Sequence, residues 1–102
     1  MDIYFEVKTV SGKIIRTTHN HWKLITKLKH PEIEGKELEV KKCLSNPVEI
    51  RKSSDDPGVC LYYLPYMKYY ICVVVKHLNG DGYIITSYLT DKIKEGETIW
   101  KR

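Results

Sequence analysis

The sequence predicts an α+β domain in which an N-terminal β-hairpin and two short helices precede a four-stranded antiparallel sheet. The chain has 102 residues, a common size for one domain, so residues 1–102 are assigned to a single domain. A hydrophobic content of 42% is sufficient for a core. Hydrophobic residues recur with a helical period within the first half of the chain and alternate in the second half. Short polar turns between the alternating segments favour an antiparallel meander.

The N-terminal half supplies the hairpin and the helices. Its predicted elements are strands over residues 3–10 and 13–17 and helices over about residues 21–29 and 35–44. Ser11-Gly12 provides the turn of the hairpin, and Pro31 ends the first helix. Leu24, Ile25 and Leu28 form an apolar stripe, so we expect this side of the first helix to pack inward.

The C-terminal half supplies the sheet. Its predicted strands cover residues 48–52, 59–64, 69–77 and 83–90. The third of these is the most apolar and is therefore expected at the centre of the sheet. Asn79-Gly80-Asp81-Gly82 is a strong hairpin signal. Residues 91–102 are expected to form a charged tail anchored by Ile93, Ile99 and Trp100.

Composition limits the classes of function. The formal net charge of +4 permits an anionic partner without requiring one. Cys43, Cys60 and Cys72 are odd in number, lie among apolar neighbours and have no C-x-x-C spacing, so buried free thiols are predicted. The N-terminus lacks the pattern of a signal peptide, and the longest apolar stretch, residues 69–75, is too short to cross a bilayer. These features predict a cytoplasmic protein without membrane contact.

A first cluster of candidate site residues lies at the predicted first helix. His19 and His21 stand at its N-terminus, where free N–H groups and the helix dipole favour phosphate. His19 is a candidate for proton transfer, whereas His21 either packs as a core imidazole or contacts RNA. Lys23, Lys27 and His30 form a basic face of the same helix. No carboxylate or thiol lies at ligand spacing nearby, so neither a metal nor another cofactor is predicted.

A second cluster is Arg51 with Lys52 at the end of the alternating strand. Arg51 lies on the opposite side of that strand from Val48 and Ile50. Its guanidinium either clamps a phosphate with two hydrogen bonds or is a solvated edge group.

A third cluster comes from the predicted C-terminal hairpin, and its composition depends on the length of the loop. With three loop residues, Lys76 shares a face with Thr86 and Tyr88; with two or four, His77 takes that place. Either arrangement brings together a cation, a hydroxyl and a phenol.

Tyrosines on the predicted strands are either base-stacking groups or ordinary strand formers. They are Tyr62, Tyr63, Tyr66, Tyr69 and Tyr70.

Four segments in this order carry a resemblance to a known family. They are His30-Pro31-Glu32, residues 46–51, Val73-Val74-Val75-Lys76 and residues 82–88. With them, the chain resembles the phage- and mobile-element-associated branch of the barnase–EndoU–colicin–RelE ribonuclease superfamily over roughly residues 16–100.

The resemblance implies a metal-independent endoribonuclease that cleaves mRNA or tRNA by 2′-hydroxyl attack and leaves a 2′,3′-cyclic phosphate. It also implies one or two helices before a four-stranded antiparallel sheet whose concave face holds the active site. Many members are toxins, so an antitoxin or immunity protein is an expected partner. Carried onto this sequence, the proton-transfer histidine is His19 or His30, and the phosphate cations are Arg51 and Lys76. Thr86 is the hydroxyl position, with Tyr88 beside it.

Residue types alone leave two other functions open. A non-catalytic RNA- or ribosome-binding module would use the same basic helix face and tyrosines. A protein–protein adaptor of a mobile element would instead need an exposed apolar patch.

Overall fold

The computed structural model describes residues 2–102 and confirms the α+β class. The strands are β1 (Ile3–Lys8), β2 (Ile14–Thr18), β3 (Glu49–Lys52), β4 (Val59–Tyr66), β5 (Tyr69–His77), β6 (Asp81–Thr90) and β7 (Glu97–Lys101). The helices are α1 (His19–Leu24), continued by a π-helical segment (Ile25–Lys29), a 3-10 turn (Pro31–Ile33) and α2 (Glu37–Ser45). The described strands form one sheet in the order β1-β2-β6-β5-β4-β3-β7.

The sheet is larger than the sequence predicts. The antiparallel meander is present as β3, β4, β5 and β6. The prediction of a four-stranded antiparallel sheet is nevertheless wrong in extent, because both outer strands of the meander take further partners. β2 pairs in parallel with the start of β6, through Ile14–Arg16 and Asp81–Tyr83, and so joins the N-terminal hairpin to the sheet. The expected charged tail forms β7 on β3. The unpaired N–H and C=O groups of a strand edge favour such additions.

The main core lies between the helices and one face of the sheet. Val40, Cys43 and Leu44 of α2 have no exposed surface, as their spacing predicts. They pack in one cluster with residues of the central strands such as Val73 and Val75. All three cysteines are buried and free, which confirms the prediction made for them. Within residues 2–102, no helix has the length and apolar character needed to cross a membrane.

The first helix buries a different stripe from the one predicted. Ile25 is buried, but 38% of Leu24 and 75% of Leu28 are exposed, whereas Trp22 and Thr26 are buried. The buried positions Trp22, Ile25 and Thr26 keep the i, i+3, i+4 spacing of one helical face, and Leu24 lies beside that face. The N–H of His30 donates to the carbonyl of Ile25 at 2.7 Å, which is the wider i to i−5 pattern of a π-helix. This wider turn begins at Ile25, so it moves Leu28 away from the buried face but does not affect Leu24, which precedes it.

The second face of the sheet carries a smaller buried cluster. Leu61, Tyr63 and Cys72 are its buried residues, and Ile93 packs against them. Ile93 belongs to residues 91–96, which connect β6 to β7 and are called the crossing segment here. Given the strand order, this segment passes across β5, β4 and β3 to reach β7. The C-terminal residues therefore cover part of the face opposite the helices.

Candidate active site

A groove of about 690 Å³ lies on the second face of the sheet. Val59, Leu61 and Val74 form its apolar floor. His30 and Tyr88 line it on the β6 side. On the β3 side it is lined by residues 53–55, which follow β3, and by Glu95 and Gly96 of the crossing segment. The groove therefore combines an apolar base with an imidazole, a phenol and two carboxylates at its walls.

A β-bulge decides which cation shares this face with Thr86 and Tyr88. His77 pairs with Gly82, so the loop has the four residues 78–81 for which the sequence predicts His77 as the shared cation. The register shifts between Val74 and Val75, however, and Ile85 is the extra residue on β6. Beyond this bulge, Thr86 lies opposite Val74 and Tyr88 opposite Cys72. Since side chains alternate along β5, Lys76 is on the groove face, and His77 is on the helix face.

His77 has partners of its own on the helix face. Its Nε2 atom lies 3.1 Å from the hydroxyl of Tyr62, and its Nδ1 atom lies 3.8 Å from the thiol of Cys60. Burial, followed by the charge of Lys13, lowers the pKa of His77. The side chain is therefore held mainly as a neutral imidazole in a packed environment.

His30 reaches the groove at the end of the π-helical segment. Its ring packs against the ring of Tyr88, with centroids 5.5 Å apart. Its Nδ1 atom lies 3.4 Å from the carboxylate of Glu32. These two contacts fix the ring while it remains half-buried at the wall of the groove.

A row of polar groups runs across β4, β5 and β6 under the crossing segment. Tyr63 pairs with Cys72, and Cys72 pairs with Tyr88. Burial is the largest cause that raises the pKa values of the Tyr63 and Tyr88 phenols, and it raises the pKa of Cys72 to about 12. All three groups therefore stay protonated near neutral pH. Only 1% of Tyr63 is exposed, so its ring offers no surface on which a base could stack.

Arg51 lies at the β3 border of the groove with its guanidinium already oriented. Its Nε atom donates to Glu49 at 2.8 Å, and its Nη1 atom donates to the carbonyl of Gly96 at 3.3 Å. The carboxylate of Glu49 also accepts from the hydroxyl of Thr98 at 2.6 Å. The Thr98 bond, followed by that of Arg51, lowers the pKa of Glu49. The remaining N–H groups of the guanidinium have no other bond within the described chain.

Lys76 and Thr86 share the groove face but differ in their partners. The Nζ atom of Lys76 contacts both carboxylate oxygens of Asp56, at 3.0 and 2.8 Å. That ion pair is the main cause that lowers the pKa of Asp56. The hydroxyl of Thr86 is buried and makes no hydrogen bond within residues 2–102. A buried hydroxyl without a partner is uncommon in proteins.

The other two histidines near α1 do not line the groove. The Nδ1 atom of His19 lies 2.8 Å from the carboxylate of Asp2, and its ring packs on that of Tyr4 with centroids 4.5 Å apart. The Nε2 atom of His21 lies 2.8 Å from the carbonyl of Ile85, the bulge residue. Since a carbonyl only accepts, Nε2 of His21 carries a proton and secures the bulge.

The predicted lysines are spread over different surfaces. Lys23 and Lys27 are exposed on the first helix, and Lys27 pairs with Glu34. Lys52 lies opposite Cys60 on the helix face, whereas Arg51 lies on the groove face. The structure therefore brings one group of the predicted site residues to the groove face: His30, Arg51, Lys76, Thr86 and Tyr88. Another group does not lie there: His19, His21, Lys23, Lys27, Lys52 and His77.

Two carboxylates in the groove were missed by reasoning from the sequence. Asp55 belongs to a loop that reads only as polar and turn-rich, and Glu95 belongs to the expected charged tail. Only the return of the chain across the sheet brings Glu95 near the other groups. Among residues 2–102, no three side chains of the types that bind metals come together. No family model matches this chain, and comparisons with curated proteins and with solved structures likewise give no match.

Proposed function

We propose that this chain is a metal-independent endoribonuclease that cleaves RNA by attack of a 2′-hydroxyl on the adjacent phosphate. The observation that carries the proposal is the groove, where His30, Glu95 and Asp55 line one cavity and Arg51 lies at its border. This cleavage needs a base for the 2′-hydroxyl, an acid for the leaving 5′-oxygen and a cation for the phosphate. The volume of about 690 Å³ is in the range of small-molecule sites, so one nucleotide with its phosphate would fit.

In the proposed reaction, the carboxylate of Glu95 or Asp55 takes the proton of the 2′-hydroxyl. The 2′-oxygen then forms a bond to phosphorus, and the bond from phosphorus to the 5′-oxygen breaks. The leaving 5′-oxygen takes a proton from the imidazolium of His30. The products are a 2′,3′-cyclic phosphate and a 5′-hydroxyl. The contacts of His30 with Tyr88 and Glu32 would keep its ring oriented during the transfer.

The phosphate would be held by the groups on the same face. Arg51 can bind it through the N–H groups not engaged by Glu49 and Gly96. Thr86 would donate its unpartnered hydroxyl to a phosphate oxygen only if the groove opens toward it, because the hydroxyl is buried in the structure. Lys76 supplies a second positive charge, although Asp56 balances that charge in the structure. Tyr88, with its raised pKa, supports His30 and does not itself transfer a proton.

The resemblance of the sequence to the barnase–EndoU–colicin–RelE superfamily supports the same proposal. The arrangement it implies is one or two helices followed by a four-stranded antiparallel sheet whose concave face holds the active site. Strands β3–β6 and the groove are compatible with that arrangement. A toxin role would add an antitoxin or immunity protein that covers the groove.

The test is an incubation of the purified protein with tRNA and with a ribosome-bound message in the presence of EDTA. We expect discrete fragments that end in a 2′,3′-cyclic phosphate. His30→Ala should slow cleavage about 100-fold or more, the usual size of general acid–base catalysis. Glu95→Gln and Asp55→Asn, measured separately, identify the base. His19→Ala is the matched control, since His19 contacts Asp2 and Tyr4 and does not line the groove.

Intact RNA after incubation with the unmodified protein would contradict the proposal. Cleavage that survives His30→Ala but is lost with His19→Ala would move the site to the N-terminus of α1.

A further inference from the structure

We propose that the turn between β4 and β5 is a second RNA-binding surface, which holds single-stranded RNA beside the groove. The inference rests on the proposed function for the class of its ligand. The surface is called the turn patch and consists of Lys36, Tyr66, Met67, Lys68 and Tyr69. These residues, with Glu32 and Leu89, surround a shallow depression of about 510 Å³.

Met67 is the first sign that the turn patch has a partner. The residue is 87% exposed and has a φ of +55°, in the left-handed region that favours glycine. A non-glycine residue there is strained, and an exposed side chain gains no burial energy that would offset the strain. Glycine would adopt this φ without strain, so the thioether of Met67 contributes through a contact made outside this chain.

The lysines and tyrosines indicate the chemistry of that contact. The Nζ atom of Lys36 lies 5.6 Å from the ring centroid of Tyr66, and that of Lys68 lies 5.6 Å from the ring centroid of Tyr69. Tyr69 is 40% exposed. Aromatic rings on which bases stack, beside ammonium groups that meet phosphates, are the usual elements of single-strand binding.

The balance of charge favours an anionic ligand over an apolar protein segment, and the aromatic rings beside the ammonium groups favour RNA. Among residues 2–102, Glu32 is the one carboxylate that lines the depression, and it lies 3.4 Å from Nδ1 of His30. The two ammonium groups of Lys36 and Lys68 therefore set the charge presented to a ligand. A purely apolar partner would leave these cations without a counter-charge.

The turn patch and the groove adjoin each other at the contact between Glu32 and His30. Glu32 lines the patch and contacts His30, which lines the groove. Leu89, which also lines the depression, follows Tyr88 on β6, so the depression lies on the helix face and the groove on the other face of the sheet. Because β2 pairs only with Asp81–Tyr83 of β6, one strand of RNA with a nucleotide in the groove can pass around the edge of β6 beside His30 and Glu32 and reach the patch. The patch would raise affinity for longer substrates and have little effect on very short ones.

The test measures binding of an RNA whose 2′-hydroxyls are methylated, which 2′-hydroxyl attack cannot cleave, so that His30 and its contact with Glu32 stay intact. Fluorescence anisotropy gives Kd for a labelled single-stranded RNA of about 12 nucleotides, a length in the range of single-strand binding sites. Tyr69→Ala should raise Kd about tenfold, and Met67→Gly should raise it severalfold. Leu28→Ala is the matched control, because Leu28 is 75% exposed on the first helix and does not line the depression.

The Met67→Gly variant separates a loss of RNA affinity from a loss of protein stability. Glycine relieves the strained φ, so the free energy of unfolding in urea should rise or stay constant while affinity falls. A Kd unchanged by both patch variants would overturn the proposal, as would an effect no larger than that of Leu28→Ala. If the patch variants bind RNA normally but no longer bind a protein inhibitor, the patch is a surface for a protein.

Cleavage by the unmodified protein is measured separately and decides the proposed function. If the unmodified protein does not cleave RNA but the patch variants bind RNA more weakly than it does, the RNA-binding surface is supported and the proposed ribonuclease activity is refuted. Cleavage with normal binding by the patch variants would refute the patch alone.

Discussion

Gly96→Ala should destabilise the protein by more than the ordinary cost of replacing a glycine. Gly96 has a φ of +76°, and a Cβ atom there would lie 2.3 Å from the carbonyl oxygen of Lys52. Ordinary van der Waals contact begins at 3.4 Å, so the crossing segment would have to retreat from β3 by about 1 Å. That shift would stretch the bond from Arg51 to the Gly96 carbonyl.

Gly12→Ala supplies the matched control. Gly12 has a similar φ of +90°, but nothing lies within 4 Å of the Cβ position. It should therefore show only the conformational cost, about 1 kcal/mol. Gly96→Ala adds the overlap, and its total should be about 2–4 kcal/mol. The difference between the two variants isolates the close approach of the crossing segment to β3.

The assay is urea unfolding of both variants and the parent protein at one pH. Hydrogen exchange of the β7 amides locates the effect, and they should exchange faster in Gly96→Ala only. Equal losses of stability in the two variants, or unchanged exchange in β7, would refute the reasoning.

Three further changes test the contacts around the sheet. Since the pKa of Glu49 is lowered, its charge stabilises the fold above the ordinary value of 4.5, and that stabilisation is lost as the pH falls through the folded pKa. Glu49→Gln should therefore flatten the acid side of the profile of stability against pH in urea unfolding. The pKa of His77 is also lowered, so the parent protein should lose stability as the pH falls below 6.5, and His77→Gln should reduce that loss in the same titration. Ser87→Ala removes the buried bond to the Cys72 carbonyl at 2.7 Å and should cost about 1–2 kcal/mol in urea unfolding; no loss would show that the carbonyl finds another donor.

Features with a local signal could be predicted from the sequence. The apolar run 69–77 coincides with β5, and the spacing of Val40, Cys43 and Leu44 identifies the buried side of α2. Both follow from periodicity within a few residues. Residue type and position at the end of an element made His30 and Arg51 candidates, and the structure places His30 in the lining of the groove and Arg51 at its border.

Features that depend on distant partners could not be predicted. The bulge at Ile85 reverses the face assigned to His77, and its carbonyl meets His21 from another part of the chain. The parallel pairing of β2 with β6 leaves no mark in the alternation of either strand. Glu95 enters the groove only because the crossing segment spans the sheet. Register and strand order are settled by tertiary packing, which short sequence windows do not contain.

The strand order has a consequence for the time at which the groove forms. Neighbouring strands from β3 to β6 are joined by short connections, so we expect their meander to form early. The pairings of Ile14 with Asp81 and of Glu49 with Lys101 join parts of the chain that are far apart in sequence and should form late. Glu95 is positioned only when β7 docks on β3. During synthesis, a nascent chain would therefore expose His30 and Arg51 without this carboxylate, and any activity that depends on Glu95 would begin only after β7 has been made.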